Sequence, residues 1–344
     1  MKKLNIAIVG LGTAGKYYLD ILKKNTKVKN IFVIDKIKIK KNNFFYQTNI
    51  NEIKKKNIKI NYAIICTPSG HHYESAKFFI LKKANVLIEK PIVLKLKHAA
   101  ELISLSKKKN TKCWVTFQNR YNLSVTKLKK IIKNGTLGKV SLVDSVLLWH
   151  RNYEYYKSDW RGKYKTDGGV LANQAIHLLD ALIYIFGPVK KFNVVAGFNK
   201  KKLQAEDLID LSLIHKNDVI SSLTATTRAN RDYRSAIDVI GEKGRVIVRG
   251  ISLNLFNYFK KDKLILDKKN SENFALGLGP ISGMGTGHKK ILKEFLNKKI
   301  KFSSKKLEIK HNYYLLKLIH SIYNVVNKNR KLHIVKNKQS IWGK

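Results

Sequence analysis

Three glycines near the start of the chain, in Gly10-Leu11-Gly12-Thr13-Ala14-Gly15, follow a short apolar run and open a helical pattern. Glycine at the first position permits a tight turn, and at the second it lets a diphosphate approach the backbone. At the third it lets helix and strand pack closely. The helix that starts there presents unpaired N–H groups and the positive end of its dipole to an anion. Gly10, Gly12, Thr13, Ala14 and Gly15 therefore predict a dinucleotide site. Asp35 ends the next apolar run, where a carboxylate accepts hydrogen bonds from ribose hydroxyls and repels a 2′-phosphate. That favours NAD over NADP, with Lys36 beside it softening the repulsion.

Two more motifs close later apolar runs: Cys66-Thr67-Pro68-Ser69-Gly70-His71-His72 and Glu89-Lys90-Pro91. Strand ends along one edge of a parallel sheet line its ligand crevice. Thr67, Pro68, Ser69, Glu89 and Lys90 are thus candidates for the nicotinamide side. Desolvation in such a crevice makes a lysine a usable acid or base, and even as an ammonium it orients a hydroxyl. After Asp167-Gly168-Gly169, the residues Asn173, His177, Asp180 and Tyr184 recur at i, i+4, i+7 and i+11 on an otherwise apolar helix. A polar stripe of that kind needs partners where it is buried. His177 is the candidate base, taking a hydroxyl proton while hydride leaves the same carbon. Asn173 cannot act as a base and is expected to hydrogen-bond a substrate hydroxyl.

The chain of 344 residues carries 69 Lys and Arg against 23 Asp and Glu, a formal charge of +46. Lysine is spread along its whole length, so the charge reads as compositional bias and a solvated basic surface, with no specific nucleic-acid partner expected. Against that background only nine arginines occur, eight of them between Arg120 and Arg249. A planar guanidinium binds carboxylate or phosphate through two parallel hydrogen bonds, which an ammonium does not. Arg120, Arg151, Arg161 and Arg228 are candidates for an anionic substrate, chance clustering being the alternative. Tyr155, Tyr156 and Trp160 either pack on a sugar or base, or serve as core and interface aromatics. Two cysteines fit a reducing, cytoplasmic setting. No stretch approaches the roughly 18 apolar residues of a membrane span, and no metal-ligand spacing is present.

Alternating apolar runs (4–9, 31–34, 62–66, 86–88, 113–117) and helical patterns (14–24, 71–82, 96–108) predict a parallel sheet covered on both faces. After a helix at 125–133, longer strand-like segments (140–149, 192–198, 208–215, 219–227, 235–240, 245–248) predict a largely antiparallel open sheet. One helix interrupts it at 169–186, and two close the chain at 288–296 and 306–326. The expected fold is α/β, with a Rossmann domain at 1–122, an α+β substrate and oligomerisation domain at 123–330, and a basic tail at 331–344.

GLGTAG, CTPSGHH and EKP, with FQNRYN (117–122), RNYEYYKSDWRG (151–162) and KTDGGVLANQAIHLLD (165–180), resemble the Gfo/Idh/MocA family of sugar and cyclitol oxidoreductases. The resemblance covers nearly the whole chain. It is closest to the branch of UDP-N-acetyl-2-amino-2-deoxyglucuronate dehydrogenases. It implies that Lys90 is catalytic, that His72 and Gln118 lie at the cofactor, and that subunits associate as dimers or tetramers. Many family members carry Asp where this chain has Asn173, a departure that agrees with an anionic nucleotide sugar oxidised at its 3-hydroxyl. The alternatives are a dehydrogenase of another sugar or nucleotide sugar, and a non-catalytic NAD-sensing regulator; retention of Lys90 and His177 counts against the second.

Overall fold

The computed structural model describes residues 3–36, 45–47, 50–55, 57–199, 203–260, 263–266, 287–297, 307 and 309–328. The tail expected at 331–344 lies outside them. The first sheet is all parallel and consists of β1 (Leu4–Val9), β2 (Val28–Ile34), β3 (Phe45–Gln47), β4 (Tyr62–Ile65), β5 (Asn85–Ile88) and β6 (Cys113–Val115). Its order is β3-β2-β1-β4-β5-β6, the doubly wound arrangement. Helices α1 (Thr13–Lys23), α2 (Ile50–Lys55), α3 (His72–Leu81) and α4 (Leu96–Lys109) connect the strands. Both faces are covered, so Ile6, Ile8, Ile64, Ile65 and Leu87 are fully buried and the strands read as unbroken apolar runs. Strand order reverses between β1 and β4. Their carboxyl ends put Gly10 beside Cys66, with Cys66 N donating to Val9 O at 2.7 Å.

The second sheet runs β14-β13-β12-β11-β7-β10-β9-β8. Its strands are β7 (Val140–Leu148), β8 (Val189–Gly197), β9 (Leu208–His215), β10 (Ile220–Thr226), β11 (Arg234–Gly241), β12 (Gly244–Arg249), β13 (Leu255–Lys260) and β14 (Lys263–Leu266). All neighbours are antiparallel except β7 and β10, which pair in parallel at the centre. One face is packed and the other open, which gives β9 its alternation of buried and accessible residues. The remaining helices are α5 (Leu123–Lys133), α6 (Tyr153–Tyr156), α7 (Ile176–Phe186), α8 (Gly287–Phe295) and α9 (Ile309–Lys328). α5 packs on β12, α7 on β10 and α9 on β8, while α9 also reaches α4 and β6 of the first sheet. No helix among the described residues is long and apolar enough to cross a membrane.

Three differences from expectation matter. β3, α2, β13 and β14 were not anticipated, because their short stretches mix aromatic residues with lysine and asparagine. α9 continues through Lys328, past its expected end. The helix expected over 169–186 is two pieces: a π turn at Leu171–Ala175, then α7.

The polar stripe on that helix divides as well. Asp180 accepts from Arg120 Nε at 2.8 Å (Oδ2) and from Nη2 at 2.5 Å (Oδ1). Only 4% of the Arg120 side chain and 1% of Asp180 is accessible. Phe117 and Tyr184 flank the guanidinium, their ring centres 5.5 and 5.3 Å away. Burial raises the Asp180 carboxyl above its ordinary value and the Arg120 charge opposes that. This corrects the expectation for Arg120. Its fork is filled by an internal carboxylate 60 residues away, and it braces α7 against the segment after β6 instead of meeting a substrate. Losing one partner of such a pair strands the other charge, at a cost of about 3–5 kcal/mol. Asp180→Ala is therefore expected to lower the unfolding free energy measured by denaturant titration by that much. The paired replacement Arg120→Met with Asp180→Leu is expected to recover most of it.

Candidate active site

The glycine loop has the shape a diphosphate needs. Gly10 has φ +91°, and a Cβ there would sit 2.7 Å from the Cys66 carbonyl oxygen. A Cβ on Gly15 would collide with Gly10 O at 2.0 Å, whereas one on Gly12 would project into open space. Gly12 caps α1 without a side-chain bond, and no acidic residue occupies the first turn, where Thr13 and Ala14 stand. The N-terminal N–H groups therefore keep their attraction for an anion. Asp35 Oδ2 accepts from Leu11 N at 2.6 Å, which ties the ribose-side carboxylate to the loop. Across the crevice, Thr67 Oγ1 and Gln118 Oε1 are buried without a hydrogen-bond partner. Orphaned polar atoms beside an empty-faced glycine fit a bound dinucleotide.

Pro68 and Ser69 start the short turn before α3. His72 is placed differently from expectation: 1% of it is accessible, and both ring nitrogens lie 2.8 Å from backbone carbonyls, Nδ1 from Pro91 and Nε2 from Thr67. It ties the two crevice turns together and keeps no polar atom for a ligand. Burial pulls its pKa below the ordinary imidazole value against the pull of those carbonyls.

Lys90 leaves β5 and crosses to the second sheet's helix. Its Nζ donates to the Asn173 carbonyl oxygen at 2.7 Å and to Asn173 Oδ1 at 3.2 Å. The accepting residue lies in the π turn, a local irregularity of the kind often found at functional sites. Burial lowers the Lys90 pKa, with Arg161 and Arg151 adding to the fall while Asp167 and Glu89 oppose it. Asn173 Nδ2 in turn donates to Asp167 and to the Tyr155 hydroxyl at 3.3 Å. Asn173 was expected to meet a substrate hydroxyl; its amide is instead engaged at both ends.

His177 lies one turn further on, edge-on to Phe117 with ring centres 6.2 Å apart. Its Nδ1 is buried and unpartnered, while the residue as a whole is only partly buried. Burial first, then the Lys90 and His288 charges, hold its pKa well below the ordinary value.

Beside this centre runs a ladder of aromatic and guanidinium groups. Arg151 stands 4.9 Å from the Trp149 ring centre and 5.5 Å from Tyr155. Arg161 stands 3.7 Å from Tyr155 and 4.9 Å from Trp160. Arg151 also bonds Asp232, whereas Arg161 has no carboxylate within ion-pair distance among the described residues and its Nε is buried without a partner. Tyr156 packs edge-on to Tyr155 and pairs with Thr227 Oγ1 at 2.9 Å, a bracing role. Arg228 is held by Asp207 Oδ1 through both Nε and Nη2, leaving an accessible edge and no open fork.

Several residues at the centre escaped the sequence reading. Asp167 was visible only as part of a turn motif, and Gln174, whose Nε2 donates to Tyr155 at 3.1 Å, as part of a helical one. Beneath Glu89, Tyr18 donates to its Oε1 at 3.1 Å and touches Thr116 at 3.2 Å, while His288 of α8 lies 3.8 Å from the same carboxylate. Nothing local in the sequence links positions so far apart. Among the described residues no His, Cys, Asp or Glu cluster could hold a metal ion.

A dinucleotide loop facing a lysine and a neutral histidine defines a nicotinamide-dependent oxidoreductase. Comparison with known proteins agrees. Residues 4–117 match the oxidoreductase family with an NAD-binding Rossmann fold, and residues 125–247 match the GFO/IDH/MocA C-terminal domain. The chain belongs to the Gfo/Idh/MocA oxidoreductase family. An uncharacterised oxidoreductase of Synechocystis is 26% identical over 264 residues, 71% of each chain. The WlbA dehydrogenase of Bordetella pertussis, solved with NADH and UDP-GlcNAcA, superposes with a TM-score of 0.82 at 22% identity, covering 95% of this chain and 96% of that one. Its counterpart from Chromobacterium violaceum, solved with the same two ligands, gives 0.81 at 21% identity, covering 95% and 94%.

Proposed function

We propose that the protein is an NAD-dependent dehydrogenase that oxidises the 3-hydroxyl of a UDP-N-acetylhexosaminuronic acid to a 3-keto sugar for surface-polysaccharide synthesis. The observation that carries this reading is the Arg161 guanidinium, set against the Tyr155 and Trp160 rings next to the Lys90 and His177 pair. It spends Nη1 on the Tyr155 carbonyl at 3.2 Å but has no carboxylate within ion-pair distance among the described residues. A cation without a carboxylate, fixed between aromatic faces, suits an anionic substrate with a ring to stack. The nucleotide-sugar complexes of the two WlbA dehydrogenases support the same class.

Lys90 commits two of its three N–H bonds to Asn173 and directs the third at the reacting oxygen. In the tautomer protonated at Nδ1, His177 offers Nε2 as base, and its lowered pKa keeps it neutral at pH 7. NAD bound at the glycine loop would supply the hydride acceptor, and His177 would take the O–H proton, so that hydride and proton together account for a two-electron oxidation of the carbinol to the ketone. Arg161 holds the substrate's anionic group, with Arg151, already paired to Asp232, beside it, and Tyr155 and Trp160 form the stacking platform.

Assembly through the open face of the second sheet goes with this reading. The outward positions of the five neighbouring strands β12, β11, β7, β10 and β9 carry no lysine, in a chain otherwise rich in it. They expose Ile220 at 58% and Leu142 at 46%, and mix Asp144, Asp210 and Asp238 with Arg234, Arg245 and Arg249. A face of both charges and apolar side chains complements a second copy of itself.

Four outcomes are expected. With NAD and UDP-N-acetylglucosaminuronic acid, with or without 2-oxoglutarate to reoxidise the cofactor, mass spectrometry should detect the keto sugar; none under either condition sinks the substrate assignment. Because His177 must be neutral, the acid limb of kcat/KM should lie below pH 6.5. His177→Gln should erase that acid limb and reduce kcat by about 10²- to 10⁴-fold. Ile220→Lys with Leu142→Lys should lower the mass measured by light scattering to that of one chain, whereas an unchanged larger mass would place the interface elsewhere.

A further inference from the structure

Asp167 ends a tight turn in which its own N–H bonds Lys163 O at 2.9 Å. Gly168 follows at φ +81°, where a Cβ would stand 2.7 Å from the Ala172 Cβ. The turn buries the carboxylate to 4% accessibility, where it accepts a long bond from Gly162 N at 3.4 Å and two shorter ones from one side chain. Asn173 Nδ2 donates to Asp167 Oδ1 at 2.9 Å and Oδ2 at 2.7 Å. An amide has donors at one end and an acceptor at the other. With its nitrogen drawn to a carboxylate, its oxygen has to face the opposite way, and there it meets Lys90 Nζ.

We propose that Asp167 is the positioning residue of the reaction centre, locking the Asn173 amide so that it accepts from Lys90 and supplying the counter-charge to that ammonium. The inference rests on Lys90 being the group that holds the reacting oxygen. The charged and titratable groups around Lys90 are Asp167 and Glu89, which favour its proton, and Arg161, Arg151 and His177, which oppose it. Around Asp167 they are Lys90, Arg161 and Tyr155. Removing the one carboxylate aimed at the relay therefore weakens the hold of Lys90 on its proton. An oxidation that needs the ammonium must then fail at lower pH.

The test is a pair of variants and their combination. Asp167→Asn keeps the shape and an acceptor for Asn173 but removes the charge. It is expected to reduce kcat roughly 10- to 100-fold through misplacement. The alkaline limb of kcat/KM should move down by about one pH unit, with KM for NAD unchanged. Asn173→Asp sets two carboxylates face to face and is expected to lose kcat as well. The double variant Asp167→Asn with Asn173→Asp restores one carboxylate and one amide, and should recover to within about threefold of wild type because coupled sites do not add. Its alkaline limb should lie at or above the wild-type position. If Asp167→Asn does not fold, the double variant against Asn173→Asp carries the same comparison. An unshifted limb in Asp167→Asn, or a double variant no better than Asn173→Asp, overturns the proposal. A wild-type protein that forms no keto sugar instead overturns the reading beneath it.

Discussion

The site depends on one bond that joins the two halves of the chain, from the Lys90 ammonium at the end of β5 to the Asn173 carbonyl in the π turn before α7. A cation taken out of water needs acceptors in fixed places, or it gives up its proton. A regular helix keeps its carbonyls for itself. Here the Asn173 carbonyl, within the π turn, accepts from Lys90, and the Asn173 side chain adds a second acceptor from the same residue. Around this bond the other cross-links fall into place. Arg120 and Asp180 hold α7 from its far side, His72 ties the Thr67 and Pro91 turns, and α9 spans both sheets.

Much of this frame was legible in the amino-acid sequence, for physical reasons. Strands buried on both faces must be apolar throughout, so β1, β4 and β5 stood out, and the glycines after β1 announced their ligand. Strands with one open face alternate, and β9 and β10 were visible as such. What could not be read was pairing at a distance. An arginine at 120 carries no mark showing that Asp180 will fill its fork, and His72 carries none showing that two carbonyls will claim its ring. The π turn was equally hidden, because an α-helix and a π turn of the same residues present the same apolar pattern. The stripe sets Asn173 against Lys90, whereas Asp180 turns to Arg120 and Tyr184 flanks that guanidinium.

The chain's charge takes on structure in the same way. Lysine serves as the general solvated cation, whereas the arginines divide by task. Arg120 is a core brace, Arg228 is bound by Asp207, and Arg245 is bound by Asp238 on the open sheet face. Among the described residues only Arg161 stands against aromatic rings without a carboxylate next to the reaction centre. The physical distinction is between a charge neutralised within the fold and one kept for a ligand. That distinction narrows an anion-binding half of the chain to one wall of one crevice.

The claim that Lys90 acts in the chemistry, with the dinucleotide held independently by the glycine loop, is tested most directly by measuring NAD affinity and turnover side by side in Lys90→Ala. The account predicts turnover reduced by about 10²- to 10⁴-fold, the range for losing a positioned proton-bearing group, with the NAD dissociation constant unchanged within a few-fold. Turnover that survives, or NAD binding lost together with it, would contradict the account.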